Sequence, residues 1–158
     1  MDIRHADAAD AERLCEMLTA GLGFEPPTLT HVRSRLSEGE HSGSITLVAE
    51  REGEVIAFVT YVVFRSLEYA RPQARITAIV VSEAGRHSGI GRGLVAAVET
   101  EAALAGCFRV ELTSAHELPE AHRFWNSVGY ENAGLRYKRA IDPPSAGQDS
   151  SDRRPSRG

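Results

Sequence analysis

In the stretch SEAGRHSGIGRGLVAAVE, residues 82–99, glycines stand at 89, 91 and 93, flanked by Arg86, His87, Ser88, Ile90 and Arg92, with a helix-like apolar run directly after. Those residue types in that order suit the capture of an anion. The first turn of a helix leaves backbone N–H groups without partners and carries the positive end of the helix dipole. Glycine at 89 and 91 removes the Cβ atoms that would hold a phosphate off that backbone, and permits positive φ. Arg86 and Arg92 add cationic side chains. The stretch therefore reads as a cradle for phosphate, above all a pyrophosphate, which several N–H groups can meet at once. The alternative, taking the glycines alone, is a tight strand-to-helix connection. Two phosphate motifs are excluded. A P-loop ends in Gly-Lys-Ser/Thr, whereas Gly93 is followed by Leu94. A dinucleotide fingerprint has its first glycine directly after a strand, whereas here the apolar run stops well before Gly89, at Val81.

Other candidates for chemistry are sparse. His116 and His122 stand six apart with no third ligand nearby, so no metal site is expected. Cys15 and Cys107 are too few and too distant for a disulfide framework or a thiolate metal site, which points to a reducing cytoplasm.

The elements that must position the glycine loop follow from periodicity. Residues 2–5 form a short strand, and Asp7 or Asp10 caps a helix carrying Leu14, Met17 and Leu18. Thr30 caps a second helix with Val32 and Leu36 on one side. Residues 45–49 and 55–64 are β-branched and aromatic runs joined by a short polar turn, an antiparallel hairpin. A strand over 75–81 precedes the loop. The helix over 91–105 presents Leu94, Val98 and Ala102 as one stripe. A strand over 109–113, a helix opened by Pro119 and stopped at Gly129, and a last strand over 135–141 complete the order.

The chain divides into one domain, 1–141, and a tail, 142–158, whose Pro, Ser and Gly content predicts disorder. The net charge of −4 and the absence of a basic face argue against a nucleic-acid partner. No apolar run reaches membrane-spanning length and the first residues lack a signal-peptide pattern, so a cytoplasmic protein is expected. Exposed apolar strand edges leave a homodimer open.

Arg86-His87-Ser88-Gly89-Ile90-Gly91 resembles the Arg/Gln-x-x-Gly-x-Gly/Ala signature of the GNAT superfamily of acetyl-CoA-dependent N-acetyltransferases. ITAIVVSEAGRHSGIGRGLV is similar to that family's strand, loop and helix, and VELTSAHELPEAHRFWNSVGY to its next strand and aromatic helix. The resemblance implies an α/β fold with a single mixed, mostly antiparallel central sheet flanked by helices. It implies acetyl-CoA as acetyl donor, no metal, and an amine of a small molecule, peptide or protein as acceptor. By position, Ile79, Val80 and Val81 lie along the donor's pantetheine arm, with the backbone of Ile79 and Val81 bonding it. Amides from Arg86, His87, Ser88, Gly89, Ile90, Gly91 and Arg92 hold the pyrophosphate. Ala121 and Trp125 face the thioester, and Phe124 faces the core.

Two positions depart from the family pattern. Trp125 stands where a tyrosine commonly protonates the leaving thiolate, and indole is no usable acid. The strand before the loop has Thr77 and no carboxylate where a glutamate base is common. Glu68, His116 and His122 are substitute bases and Tyr61, Tyr69, Tyr130 and Tyr137 substitute donors, each with an ordinary surface or core role as the competing reading. No catalytic residue is assigned. The acceptor pocket is expected at the loop over 21–30 and the stretch 65–73, where Glu25 and Glu68 would suit a cationic amine. The rival to an enzyme is a silent acyl-CoA-binding domain of the same fold.

Overall fold

Alternation of β-branched residues sets the centre of the sheet. β2 (Ser44–Arg51) and β3 (Glu54–Phe64) pair as an antiparallel hairpin. β1 (Asp2–His5) pairs antiparallel with β2, and β4 (Gln73–Val81) antiparallel with β3. β5 (Val110–Leu112) joins β4 in parallel, giving the order β1-β2-β3-β4-β5. The computed structural model describes residues 1–21, 27–39, 43–114 and 119–141. Phe24, Glu25, Pro26, His116 and the tail 142–158 lie outside the described residues. The architecture is the expected one: a mixed, mostly antiparallel sheet with helices on both faces.

Each face has its own core. On one, Leu14 and Met17 of α1 (Ala11–Gly21) and Val32 of α2 (Leu29–Glu38) pack with Val48, Phe58 and Val80. The register lines up those last three across β2, β3 and β4. On the other face, Leu94, Val98 and Ala102 of α3 (Ile90–Leu104) form the expected stripe. They pack with Trp125 of α4 (Pro119–Ser127) over Leu47, Val59, Tyr61 and Ile76. Each fully buried side chain of this size contributes about 1.5–3 kcal/mol.

Helix entry is where the sequence reading needs amendment. A 3-10 turn, Ala8–Asp10, precedes α1, and Asp7 and Asp10 share its capping box: Asp7 Oδ1 accepts from the Ala9 amide at 2.8 Å and Asp10 Oδ2 from the Asp7 amide at 2.9 Å. Arg4 clasps both Asp10 oxygens at 2.8 and 2.9 Å and reaches Glu50 at 3.0 Å. α2 is capped by Thr28, whose hydroxyl accepts from the His31 amide, and not by Thr30.

The last strand, expected over 135–141, is not formed. Residues 131–141 pair with no strand, and Leu135, Tyr137 and Ile141 are 83, 88 and 89% exposed. An alternating segment becomes a strand only when an edge accepts its hydrogen bonds.

Candidate active site

The site begins with one extra residue in β4. β3 and β4 pair Thr60 with Ala78 and Tyr61 with Ile76, so Thr77 is a β-bulge, its hydroxyl donating to the Thr60 carbonyl at 3.1 Å. The bulge shifts the alternation by one. Ala74 and Ile76 before it, and Ile79 and Val81 after it, all face the α3 side, while Ala78 and Val80 face the α1 side. Pairing with β5 ends at the same point, with Ile76 opposite Leu112. A bulge bends its strand and interrupts the ladder, and beyond it β4 runs on to Val81 with no strand paired on the side away from β3 among the described residues.

Backbone direction along that unpaired edge follows from one hydrogen bond. The Ser82 amide donates to the Ile56 carbonyl of β3 at 2.9 Å. In an antiparallel ladder alternate residues turn their N–H and C=O to the same neighbour. Val80 therefore bonds toward β3, and Ile79 and Val81 turn their backbone groups to the open edge. Val80 contributes a buried side chain to the α1 face.

The end of β4 leads into the glycine loop. After the 3-10 turn Glu83–Gly85, the Arg86 amide donates to the Glu83 carbonyl, so Arg86 takes no part in the free run. The amides of 87–92, six in succession, donate to no backbone acceptor among the described residues; the first helical bond of α3 runs from Gly93 to Gly89. His87 and Gly89 have φ of 58° and 80°, and Ser88 donates its hydroxyl to the Gly85 carbonyl, fixing the turn between them. A left-handed non-glycine residue costs about 1–2 kcal/mol, and residues held so cluster where backbone meets ligand. Gly91 also sits close under a ring: a Cβ there would stand 3.3 Å from Phe124, a tight contact that the ring would have to yield to. Arg86 is exposed and makes no ion pair among the described residues. Arg92 reaches the carbonyl of Ser127 at 3.2 Å and its hydroxyl at 3.4 Å, tying the start of α3 to the end of α4.

The aromatic pair packs on the α3 side of the sheet. Trp125, expected toward the thioester, is buried, 8% exposed, in the core under α3. Phe124, expected in the core, packs half-buried against that core, and its ring also lies against Gly91 at the loop. Ala121 is half-buried against the α3 core.

The candidate acids and bases disperse. Tyr61 donates to Glu101 of α3, which also meets His5 Nε2 at 3.0 Å. Tyr69 stacks on Phe108 beneath Arg109, and Tyr137 is exposed. Tyr130 buries its hydroxyl without a well-formed hydrogen bond; burial foremost, and then nearby Glu99, push that hydroxyl well above the usual phenol range. Glu68 is fully exposed, and hydrogen bonds from its own amide and from Ser66 hold its carboxyl below the usual range, so it is a weaker base than an ordinary glutamate. His122 lies half-buried on α4.

On the α1–α2 side of the bulge lies a cavity of about 380 Å³. Phe58, Thr60, Thr77 and Ala78 line it from the sheet, and His31 and Arg35 from α2. Arg35 also meets Glu38 at 3.1 Å in an exposed pair, which binds it only weakly. Among the described residues its lining holds no carboxylate, and Glu68 is not part of it. Among the described residues, no helix is long and apolar enough to cross a membrane and no cluster of side chains could hold a metal.

Comparison with known proteins agrees with this geometry. The model of the Acetyltransferase (GNAT) family matches residues 11–130. The aminoalkylphosphonate N-acetyltransferase of Salmonella typhimurium is 28% identical over 144 residues, 89% of this chain and 91% of that protein. Two solved structures share the fold. A Bacillus halodurans protein named a transcriptional regulator superposes with a TM-score of 0.79 at 23% identity, covering 89% of this chain and 99% of that one. The ribosomal-protein-alanine N-acetyltransferase of Brucella melitensis biovar Abortus gives 0.77 at 15% identity, covering 89% and 100%. The family match takes in the bulged strand, the glycine loop and the aromatic helix, and so the chain is an acyltransferase that belongs to the GNAT family of acetyltransferases.

Proposed function

We propose that the chain moves an acetyl group from acetyl-CoA to a primary amine by direct attack, with both substrates bound at once. The observation that carries this reading is the run of six free amides at 87–92 opening onto the unpaired edge of β4. The amides of His87 to Arg92, with Arg86, would hold the donor's diphosphate. The N–H and C=O groups of Ile79 and Val81 would bond its extended arm as an added strand. Phe124 would flank that arm, and Trp125 would act only by supporting it from below. The acceptor's neutral amine attacks the thioester carbonyl, the C–S bond breaks, and coenzyme A leaves as a thiolate while the amine's proton passes to solvent or a base. No carboxylate stands on β4 at the bulge, so the reaction should favour amines of low pKa or alkaline conditions, where the neutral form is abundant.

The cavity beside Thr77 and Ala78 is the acceptor site in this proposal. Its apolar walls and its basic side chains, His31 and Arg35, favour an amine on a short chain that ends in an anion over a polycation. The Salmonella relative's aminoalkylphosphonate substrate fits that description.

The test is release of free thiol from acetyl-CoA with a panel of aminoalkylphosphonates, amino acids, polyamines and peptides, beside calorimetric titration with acetyl-CoA. Turnover on the anionic amines is the expected result. Turnover confined to polyamines would remove the acceptor assignment. Binding with no thiol release on any amine would leave a silent acyl-CoA-binding domain.

A further inference from the structure

The cavity beside the bulge carries hydrogen-bond donors on two facing walls. Its floor is the sheet. Thr46 of β2 pairs with Thr60 of β3, which in turn stands opposite Ala78 of β4. Both threonines follow the alternation of Val48 and Phe58 and so turn to the α1 side. Their hydroxyl oxygens are 3.1 Å apart. One hydroxyl donates to the other, so one of the two protons is used within the pair, and the second has no acceptor among the described residues.

α2 forms the facing wall. His31 and Arg35 are one helical turn apart, and both line the cavity. Arg35 gives its Nη1 to Glu38, while its Nε and Nη2 and the His31 ring meet no partner among the described residues. Leu14 and Phe58 supply apolar surface between the two walls. Donors that face one another suit a group whose oxygens leave its central atom in more than one plane. A phosphonate or sulfonate directs three oxygens three ways, and can meet the guanidinium and the hydroxyl pair together. A carboxylate keeps both oxygens in one plane, where the guanidinium fork takes the two of them.

We propose, on the reading of this cavity as the acceptor site, that the Thr46–Thr60 hydroxyl pair sets its specificity. With Arg35 and His31 it selects an amine whose far end is a tetrahedral oxyanion over one that ends in a carboxylate.

Three amines with the same two-carbon spacer read the choice: aminoethylphosphonate, taurine and β-alanine. In thiol release at saturating acetyl-CoA, the first two should show KM values about tenfold or more below that of β-alanine, the worth of one hydrogen bond to a charged group. Thr46→Val/Thr60→Val replaces both partners by apolar groups of their own shape, a change that folding tolerates. It should bring the KM of the two tetrahedral acceptors to the level of β-alanine, the change falling on KM rather than kcat. Thr46→Ser/Thr60→Ser, which keeps both hydroxyls, should retain the preference. Equal KM values in the native chain, or a preference that survives the valines, would overturn the assignment.

Binding is read apart from catalysis by NMR titration with ethylphosphonate and with propanoate, neither of which carries an amine. Ethylphosphonate should bind about tenfold more tightly and lose that margin in the valine variant. Should the valines impair folding, Arg35→Gln, at an exposed position, tests the facing wall: ethylphosphonate should weaken about tenfold, and an unaltered affinity would count against the site. If no amine releases thiol, acetyl transfer is what fails, and the amine-free pair decides alone. Equal binding of the two anions then removes the role of the hydroxyls, and a margin that the valines abolish upholds it.

Discussion

α1 and α3 begin with the same physical difficulty and resolve it in opposite ways. Every helix start exposes N–H groups and a partial positive charge. Ahead of α1 the chain supplies the answer itself: Asp7 and Asp10 accept the free amides, and Arg4 locks Asp10 from behind. Ahead of α3 no side chain caps the helix, Gly89 takes a left-handed conformation, and six amides remain unmatched by the backbone. The first arrangement is satisfied within the folded chain and stabilises it at neutral pH. On the proposed reading the second leaves its binding capacity for the donor's diphosphate, and the difference between them then separates scaffold from site.

That contrast can be broken most severely at Gly89. Gly89→Val forces a β-branched residue to φ near 80° and fills the mouth of the loop. Affinity for acetyl-CoA should fall by ~100-fold or more in calorimetry, at about 1.4 kcal/mol per factor of ten. Undiminished binding would place the diphosphate elsewhere.

The reciprocal change is Asp10→Ala, which should cost about 2 kcal/mol in denaturant unfolding, since it removes Arg4's more buried partner and leaves the Asp7 amide without its acceptor. Acetyl-CoA affinity should be untouched. A pH series sharpens the point. The Arg4 hydrogen bonds, foremost, hold the folded Asp10 carboxyl below its unfolded value of 3.8. Its stabilisation is thus complete above that pH and is lost as pH falls through the lower folded value. Asp10→Asn should flatten the acid limb of the stability curve; an unaltered limb would show that other carboxylates govern it.

Smaller effects refine the picture. Thr28→Ala should cost about 1 kcal/mol of stability through the lost cap of α2, again with no change in donor binding. Arg86→Ala should do the converse, weakening acetyl-CoA about 2–5-fold at low salt, on the order of 0.3–1 kcal/mol, with an unchanged unfolding midpoint. A matching loss of stability at Arg86 would make it scaffold after all.

Much of this was legible in the residues. The hairpin over β2 and β3, the apolar stripe of α3 and the bare loop before it all follow from local pattern. What escaped depends on contacts between distant segments. Phe124 and Trp125 are neighbours about 100° apart on a helix, and which ring is the more buried depends on how α4 packs on α3 and the sheet. Thr28 and Thr30 are equal caps by composition, and the start of α2 selects the first. The segment 135–141 begins with a strand's alternation at Leu135 and Tyr137, but Arg139 interrupts it and the segment pairs with no strand. The bulge at Thr77 did leave a signal, the slip from even-numbered Ala74 and Ile76 to odd-numbered Ile79 and Val81 on one face.

Thr77 has a last consequence. The stretch from that slip to the end of β4 at Val81 is five residues, about 16 Å of extended chain. On the proposed reading it serves as a ruler, with the diphosphate gripped at one end and the acyl carbon presented at the other. A donor with a shorter tether could reach one mark or the other but not both, so the strand would select donors by length before any side chain distinguished them by chemistry.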